Sequence, residues 1–275
     1  MGRHTRRAPR PLPVAALAMA TVLAAAGCSG RSDRQQADAE QVAGAAADAG
    51  KPTTTAVDRA ESDQATADDV VLGPADFPPG WSQDNPGPAD PARPERLDDL
   101  ASCLGTELLA DDHVVARSPR FDDRMVGHVA ATVIVTPSPE AAERVMEVAH
   151  RPDMPTCLGT VIIDELAAEQ AMVAEVGLSD LPTPGEPRSS ALSFPAMGDD
   201  TASARVVIAR TTEDPSGRYQ PAVIDLFSDA VFVRSGRVVI VAMFSSGVGG
   251  PFDATRAQDM VELMVDQVPP EGAGG

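Results

Sequence analysis

The sequence is poor in aromatic residues and in lysine. One tryptophan, one tyrosine and seven phenylalanines make aromatics only 3% of the 275 residues, and Lys51 is the single lysine. A phosphate-binding loop of the P-loop type needs a lysine beside its glycines, so the glycine-rich stretch 244–250 does not qualify. The same stretch has Phe244 where a nucleophile elbow needs its first glycine. The sequence therefore predicts a protein that is not an enzyme and that needs no cofactor.

Paired metal ligands are also lacking. Two sulfurs and three imidazoles are present after the N-terminal region, namely Cys103, Cys157, His113, His128 and His150. Zinc sites usually place two ligands two to five residues apart, and this set contains no such pair. The acidic doublets 111–112, 122–123 and 199–200 lack the spacing of a calcium loop and favour solvated loops. His113 and His128 lie near acids, where we expect half-buried structural histidines. No metal site is predicted.

Positive charge is scarce relative to negative charge. The chain carries 22 Lys+Arg against 41 Asp+Glu, a formal net charge of −19. A surface of this sign repels nucleic acid and anionic lipid headgroups. The acidity thus excludes nucleic-acid partners and is otherwise typical of a well-solvated surface.

What the sequence does have is an N-terminal export pattern. The first ten residues contain no acid but four arginines, Arg3, Arg6, Arg7 and Arg10. An uncharged run follows up to Cys28, shorter than the roughly 20 apolar residues that span a bilayer. This order is typical of a signal peptide. A twin-arginine signal is disfavoured, because Pro9 and Arg10 stand where that signal needs apolar residues.

Small residues stand directly before Cys28. The segment 25–27 resembles the bacterial lipobox, whose cysteine is acylated and becomes the first residue of the mature chain, although Ala25 stands where a larger aliphatic residue is usual. We therefore expect residues 1–27 to be a lipoprotein signal peptide and Cys28 to be lipidated, with plain secretion as the alternative. Contact with the cell membrane would then come from acyl chains on Cys28, at the extracytoplasmic face.

The rest of the chain divides into a tether and one domain. Residues 28–69 contain too few apolar groups to offset the entropy of ordering, which predicts a disordered tether with a reach of roughly 35 Å. Residues 70–268 have the size of one domain with a core of its own, and 269–275 form a tail.

Hydrophobic periodicity predicts both helices and strands in the domain. Helices are expected up to Gly105, from Ser138 with Pro139 at its first position, from the second cysteine to Gly177, and over 253–268 with Asp253 as N-cap. Strands are expected over 126–135, 190–197, 202–211, 221–234 and 237–244, the last two joined by Ser235-Gly236. Residues 238–244 are apolar on both faces, as in a central strand. The predicted fold class is α+β, one antiparallel β-sheet flanked by helices.

The tetrapeptide Cys-Leu-Gly-Thr occurs twice, at 103–106 and 157–160. The flanking residues do not align, which favours a matched local need over a duplicated domain. Since an exported thiol pair usually oxidises, we predict a disulfide between Cys103 and Cys157. Closing a loop of about 54 residues would stabilise the domain by roughly 4 kcal/mol in the chain-entropy model.

Seven segments follow one another along the chain: "LGPADFPPGW", "CLG", "ARSPRF", "VIVTPSPEAAERV", the second Cys-Leu, "SFPAMGDD" and "DAVFVRSGRVVIVAMF". Their order resembles that in actinobacterial envelope lipoproteins of unknown function. These are similar in turn to the extracellular sensor domains of mycobacterial serine/threonine kinases and to Mog1/PsbP-like lipoproteins. The resemblance covers about 75–268 and implies a sheet flanked by helices, a cleft, and a role in binding or sensing. The chain lacks the cysteines for the second disulfide of those sensor domains, and it has no kinase domain.

We therefore expect a non-enzymatic binding or sensing domain whose partner is a small ligand, a lipid or an envelope protein. The alternative is a carrier of lipid or glycolipid, which needs an enclosed apolar cavity above roughly 300 Å³. A third reading, a hydrolase of wall or lipid components, needs a nucleophile and a base within about 3 Å of each other. Phe77 and Trp81 are expected to pin an extended arm onto the core rather than to stack on a sugar.

The first prediction concerns Cys28. Replacing it (Cys28→Ser) removes the acyl acceptor, so the protein should move from the membrane fraction to the soluble extracytoplasmic fraction. Fractionation and the intact mass of the N-terminal peptide measure this. Ser29→Ala, which keeps the thiol, should stay with the membrane; a Cys28→Ser protein that also stays there would contradict lipidation.

Overall fold

The sheet and its helices confirm the predicted fold class. The computed structural model describes residues 56–84, 96–109, 112–123, 127–175, 183–212, 222–247 and 249–270. In these ranges, five α-helices and eight strands follow one another as α1 (Ala56–Val70), a 3-10 helix (Pro74–Asp76), β1 (Ser82–Asp84), α2 (Arg96–Leu104), β2 (Val114–Arg117), β3 (Arg120–Asp123), β4 (Gly127–Val135), α3 (Pro139–Ala149), α4 (Met154–Glu175), β5 (Thr183–Ala191), β6 (Asp200–Thr212), β7 (Ala222–Ser235), β8 (Val238–Ser246) and α5 (Ala254–Asp266).

All strand pairs are antiparallel. The sheet runs in the order β1-β3-β4-β8-β7-β6-β5, and β2 pairs with the remaining length of β4. Residues 238–242 of β8 are all buried. The predicted central position of this strand is therefore confirmed, and β5 forms one edge of the sheet.

Helices cover both faces of the sheet. On one face, α2, α3 and α4 contribute Leu100, Met146 and Leu158 to a core that includes Val206 and Val239 of the sheet. On the opposite face, α1 and α5 pack on the sheet through buried side chains, among them Ala67, Val70, Val261 and Met264. Because the strands alternate their side chains between the two faces, each core takes every second residue.

Three predicted helix boundaries are present. The hydroxyl of Ser138 accepts a hydrogen bond from the backbone N–H of Ala141, so it caps α3. Asp253 caps α5 through the N–H of Arg256. Gly105 follows α2 with φ +62°, the left-handed conformation that favours glycine.

The predicted boundary of the tether at residue 69 is wrong. Residues 56–69 form almost the whole of α1. The helix is ordered by what it touches: Ala67 and Val70 are fully buried, and the 4% exposed Asp63 accepts a hydrogen bond of 2.8 Å from the Arg237 guanidinium in the β7–β8 turn. An ion pair between a buried carboxylate and a distant, partly buried arginine leaves no trace in local composition. Residues 28–55 lie outside the described ranges.

The predicted strand over 190–197 is displaced. The strand is β5, which ends at Ala191, and 192–197 continue without regular structure. Pro184 and Pro187 argued against a strand in the sequence, but an edge strand such as β5 tolerates proline. The hairpin turn is also shifted by one residue, since Ser235 pairs with Val238 and the turn residues are Gly236 and Arg237.

Some of the predicted boundaries cannot be compared. Gly177, the expected end of the fourth helix, lies outside the described residues, as does 271–275 of the predicted tail. The short strands β1, β2 and β3 were not predicted, because runs of three or four residues carry too little periodicity.

The second prediction concerns the ion pair between α1 and the hairpin. Asp63→Ala removes the buried carboxylate that accepts hydrogen bonds from the Arg237 guanidinium, and we expect the free energy of unfolding to fall by about 2 kcal/mol, as for hydrogen bonds to charged groups. Urea denaturation measures it. Asp68→Ala removes an exposed carboxylate of the same helix and should change stability by less than about 0.5 kcal/mol. Equal effects of the two variants would show that the pair does not hold α1.

Candidate functional site

The predicted disulfide is present. The Sγ atoms of Cys103 and Cys157 are 2.05 Å apart, and the Cα atoms are 5.6 Å apart. The bond joins the last turn of α2 to the first turn of α4. Both sulfurs are consumed, so neither thiol is free to bind a metal.

The two Cys-Leu-Gly-Thr segments have the same sequence, but their residues are only partly in the same structural environment. Leu104 and Leu158, next to the cysteines, are both buried in the same core. The glycines differ: Gly105 ends α2 with a positive φ, whereas Gly159 lies inside α4. A Cβ at Gly159 would lie 2.7 Å from the Ser189 Oγ, so this glycine lets α4 approach β5 closely.

A cleft of about 570 Å³ opens beside this contact, at the end of β5. One wall is the turn between α3 and α4, residues 149–156. The other wall is formed by 189–194 and by the first residues of β6, 201–203. The first wall is attached to the end of α2, because Arg151 donates a hydrogen bond of 3.1 Å to the carbonyl of Leu104 beside the disulfide.

Hydroxyl groups dominate the polar lining of the cleft, and no carboxylate side chain is among the lining residues. The hydroxyls belong to Thr156, Ser189, Ser190, Ser193, Thr201 and Ser203. Two of them hold the wall together: Ser203 donates to the carbonyl of Leu192, and Thr201 donates to that of Met197. Ser190 and Ser193 are exposed, and their hydroxyls have no hydrogen-bond partner in the described part of the chain. These hydroxyls can both donate to and accept from a ligand.

The two basic side chains at the cleft each have an acidic partner. The His150 Nε2 lies 2.9 Å from the Asp200 carboxylate. The Arg151 guanidinium makes two hydrogen bonds to Asp153, and these bonds hold the pKa of the Asp153 carboxyl below its ordinary value. Neither basic side chain of the cleft is therefore available to pair with an anionic ligand.

The predicted candidate residues are not brought together in one place. His128 lies in β4, 3.4 Å from the Asp122 carboxylate, and it is half-buried as expected; His113 is also half-buried and directly precedes β2. His150 follows α3. Over the ranges that the structure describes, no three His, Cys, Asp or Glu side chains form a group that could hold a metal ion.

Two of the acidic doublets are not the solvated loops that were expected. Asp122 and Asp123 lie in β3 and are partly buried. Asp199 accepts a hydrogen bond of 2.7 Å from the backbone N–H of Gly236 and so ties the start of β6 to the β7–β8 turn. Asp112 is exposed, and residue 111 lies outside the described ranges.

The aromatic arm is pinned to the core, as predicted. The Phe77 ring stacks on Phe121 with 4.0 Å between centroids, and Trp81 lies 5.0 Å from Phe77 and 6.4 Å from Phe252. These rings belong to the core on the α1 and α5 face of the sheet and are not part of the cleft.

A second, smaller depression of about 260 Å³ lies between residues 195–198 and α5. Glu262 and Asp266 contribute carboxylates to it. Like the cleft, it is open to solvent. Neither is the enclosed apolar cavity that a lipid carrier needs.

No described helix is both long enough and apolar enough to cross a membrane.

Comparisons with known proteins give little. No protein-family model matches the sequence, and no curated protein matches it significantly. Among solved structures, the extracellular domain of PknH from Mycobacterium tuberculosis is similar, with a TM-score of 0.30 and 9% sequence identity over 74% of this chain and 95% of that chain. So weak a superposition supports no argument about function, and the resemblance to envelope lipoproteins is not supported by any family match.

The third prediction concerns the disulfide. Cys103→Ser with Cys157→Ser should lower the free energy of unfolding by up to roughly 4 kcal/mol, because the unfolded chain loses a cross-link. Denaturation with and without a reducing agent measures it: reduced wild type should match the double variant, and the agent should not affect the variant. A wild type that is equally stable in both conditions, with two alkylatable thiols, would contradict the bond.

Proposed function

We propose that the chain is a membrane-anchored extracytoplasmic lipoprotein whose folded domain binds a ligand without transforming it. The N-terminal pattern ending at Cys28 supports export and anchoring. The Cys103–Cys157 disulfide supports an oxidising compartment, since such bonds are rare in the cytosol.

The observation that carries the binding function is the chemistry of the cleft. Its volume of about 570 Å³ lies within the usual range of ligand sites. Ser190 and Ser193 present hydroxyls with no hydrogen-bond partner among the described residues, next to apolar surface from Leu192 and Pro155. This combination suits a small polar ligand or a short uncharged segment.

The same cleft offers poor support for catalysis. His150 is the histidine that lines it, and its Nε2 is bonded to Asp200 rather than to a serine hydroxyl. Nucleophilic catalysis needs a base bonded to the nucleophile, with a third group behind the base. The polar lining likewise favours a binding module over a carrier of lipid.

The fourth prediction tests the cleft as the binding site. A library of small polar fragments is screened against the full chain in detergent, and each hit is located by amide NMR shifts. We expect hits at residues 189–193, which Ala191→Trp should abolish by filling the cleft, because Ala191 lies on the same face of β5 as Ser189. Asp68→Trp, which places the same ring at an exposed position of α1, should leave them unchanged. Hits that map elsewhere, or that survive Ala191→Trp, would contradict the assignment.

A further inference from the structure

The edge of the sheet inside the cleft has unpaired backbone groups. Strand β5 is the last strand of the sheet, and no described strand pairs with its outer side. The backbone N–H of Leu192 donates to the carbonyl of Ser203 in β6 at 3.1 Å. In an antiparallel pair, hydrogen-bonded and non-bonded positions alternate. Residues 190 and 188 therefore also bond to β6, whereas the N–H and C=O groups of Ser189 and Ala191 point outward.

Proline confirms this alternation and closes the upstream part of the edge. Pro187 pairs opposite Ile208, two residues before Ser189, and so occupies an outward position. A residue without an N–H fits there, because no ladder bond is lost. Pro184 and a bulge between 184 and 187 interrupt the edge further upstream. Edge strands are commonly protected in this way against unwanted pairing.

The unprotected part of the edge coincides with the cleft. Ser189 and Ala191 both line it, as do residues of the 149–156 wall. We propose, on the basis of the binding function above, that the cleft receives one extended peptide segment of another protein, which adds to β5 as a further strand. Main-chain hydrogen bonds to an unpaired edge, with pockets for alternate side chains, are an established mode of peptide recognition.

The charges of the cleft define the segment. Arg151 is already paired with Asp153, the His150 Nε2 lies within hydrogen-bond distance of Asp200, and no carboxylate side chain lines the cleft. A charged side chain would lose its hydration without gaining an opposite charge. The segment therefore carries uncharged, small or hydroxyl-bearing residues where it faces the 149–156 wall.

A second copy of this chain is disfavoured as the occupant. Two chains of net charge −19 repel each other.

The test uses the backbone donor of Ala191. Octapeptides are selected from a displayed random library on the full chain in detergent, and the synthetic peptides are measured by fluorescence polarisation. Ala191→Pro removes the outward N–H at a position of the same alternation as Pro187, and it should raise the Kd at least tenfold while the Tm stays within about 3 °C. Ala191→Val keeps the N–H and should leave the Kd within threefold.

A second measurement needs no variant of the protein. N-methylation of the peptide, one amide at a time, should weaken binding at every second residue only, because alternate amides face β5. This pattern remains informative if Ala191→Pro fails to fold. Peptide binding that shows no alternation and resists Ala191→Pro would overturn the inference.

The remaining outcomes separate this inference from the proposed function. If no peptide is selected but polar fragments still map to 189–193, the peptide inference falls and the binding function stands. If neither peptides nor fragments bind at the cleft, both fall. A concentration-dependent dimer in sedimentation that Ala191→Pro abolishes would show that the occupant is a second copy, and the inference would be wrong.

Discussion

The apolar side chains on both faces of β8 impose the constraint from which the architecture follows. Val239 faces one layer and Ile240 the other, and both are fully buried. Leaving such a side chain in water instead of burying it costs about 2 kcal/mol of folding free energy. Neither face of the sheet centre can therefore stay uncovered. Helices α2, α3 and α4 cover one face, and α1 and α5 cover the other. Helix α1 does so although nine of its fifteen residues are polar or charged.

Covering the sheet in this way also creates the cleft. Helix α4 must extend over β5 and β6 to bury Val206 and Ile208, and Gly159 allows the close approach to Ser189. The turn that leads into α4 forms the first wall of the cleft. The disulfide and the hydrogen bond from Arg151 to Leu104 fix that turn to α2. The cleft is thus a consequence of how the helices cover one face of β5 and β6, and its first wall is attached to α2.

Local patterns predicted the features that local physics decides. Ser138 and Asp253 were identifiable as caps because a hydroxyl or carboxylate beside an apolar stripe satisfies free N–H groups wherever it occurs. The burial of Asp63 against Arg237, which lies 174 residues away, could not be foreseen from a polar segment. Strand β5 was obscured by Pro187, which is acceptable only because the outer side of this strand is unpaired. The cleft could not be predicted from the sequence either, because its hydroxyls come from three separate segments.

The distribution of charge connects the cleft with the rest of the chain. With 41 acidic residues against 22 basic ones, most of the surface repels anionic partners at long range. Selectivity for an anion would require uncompensated arginines, yet Arg151 is paired with Asp153, and Arg188, on β5 itself, is paired with Asp225. What stays available near the end of β5 is hydrogen-bonding capacity without charge, in hydroxyls and in backbone groups. Recognition at this site must therefore depend on shape and on hydrogen-bond geometry, and it should vary little with ionic strength.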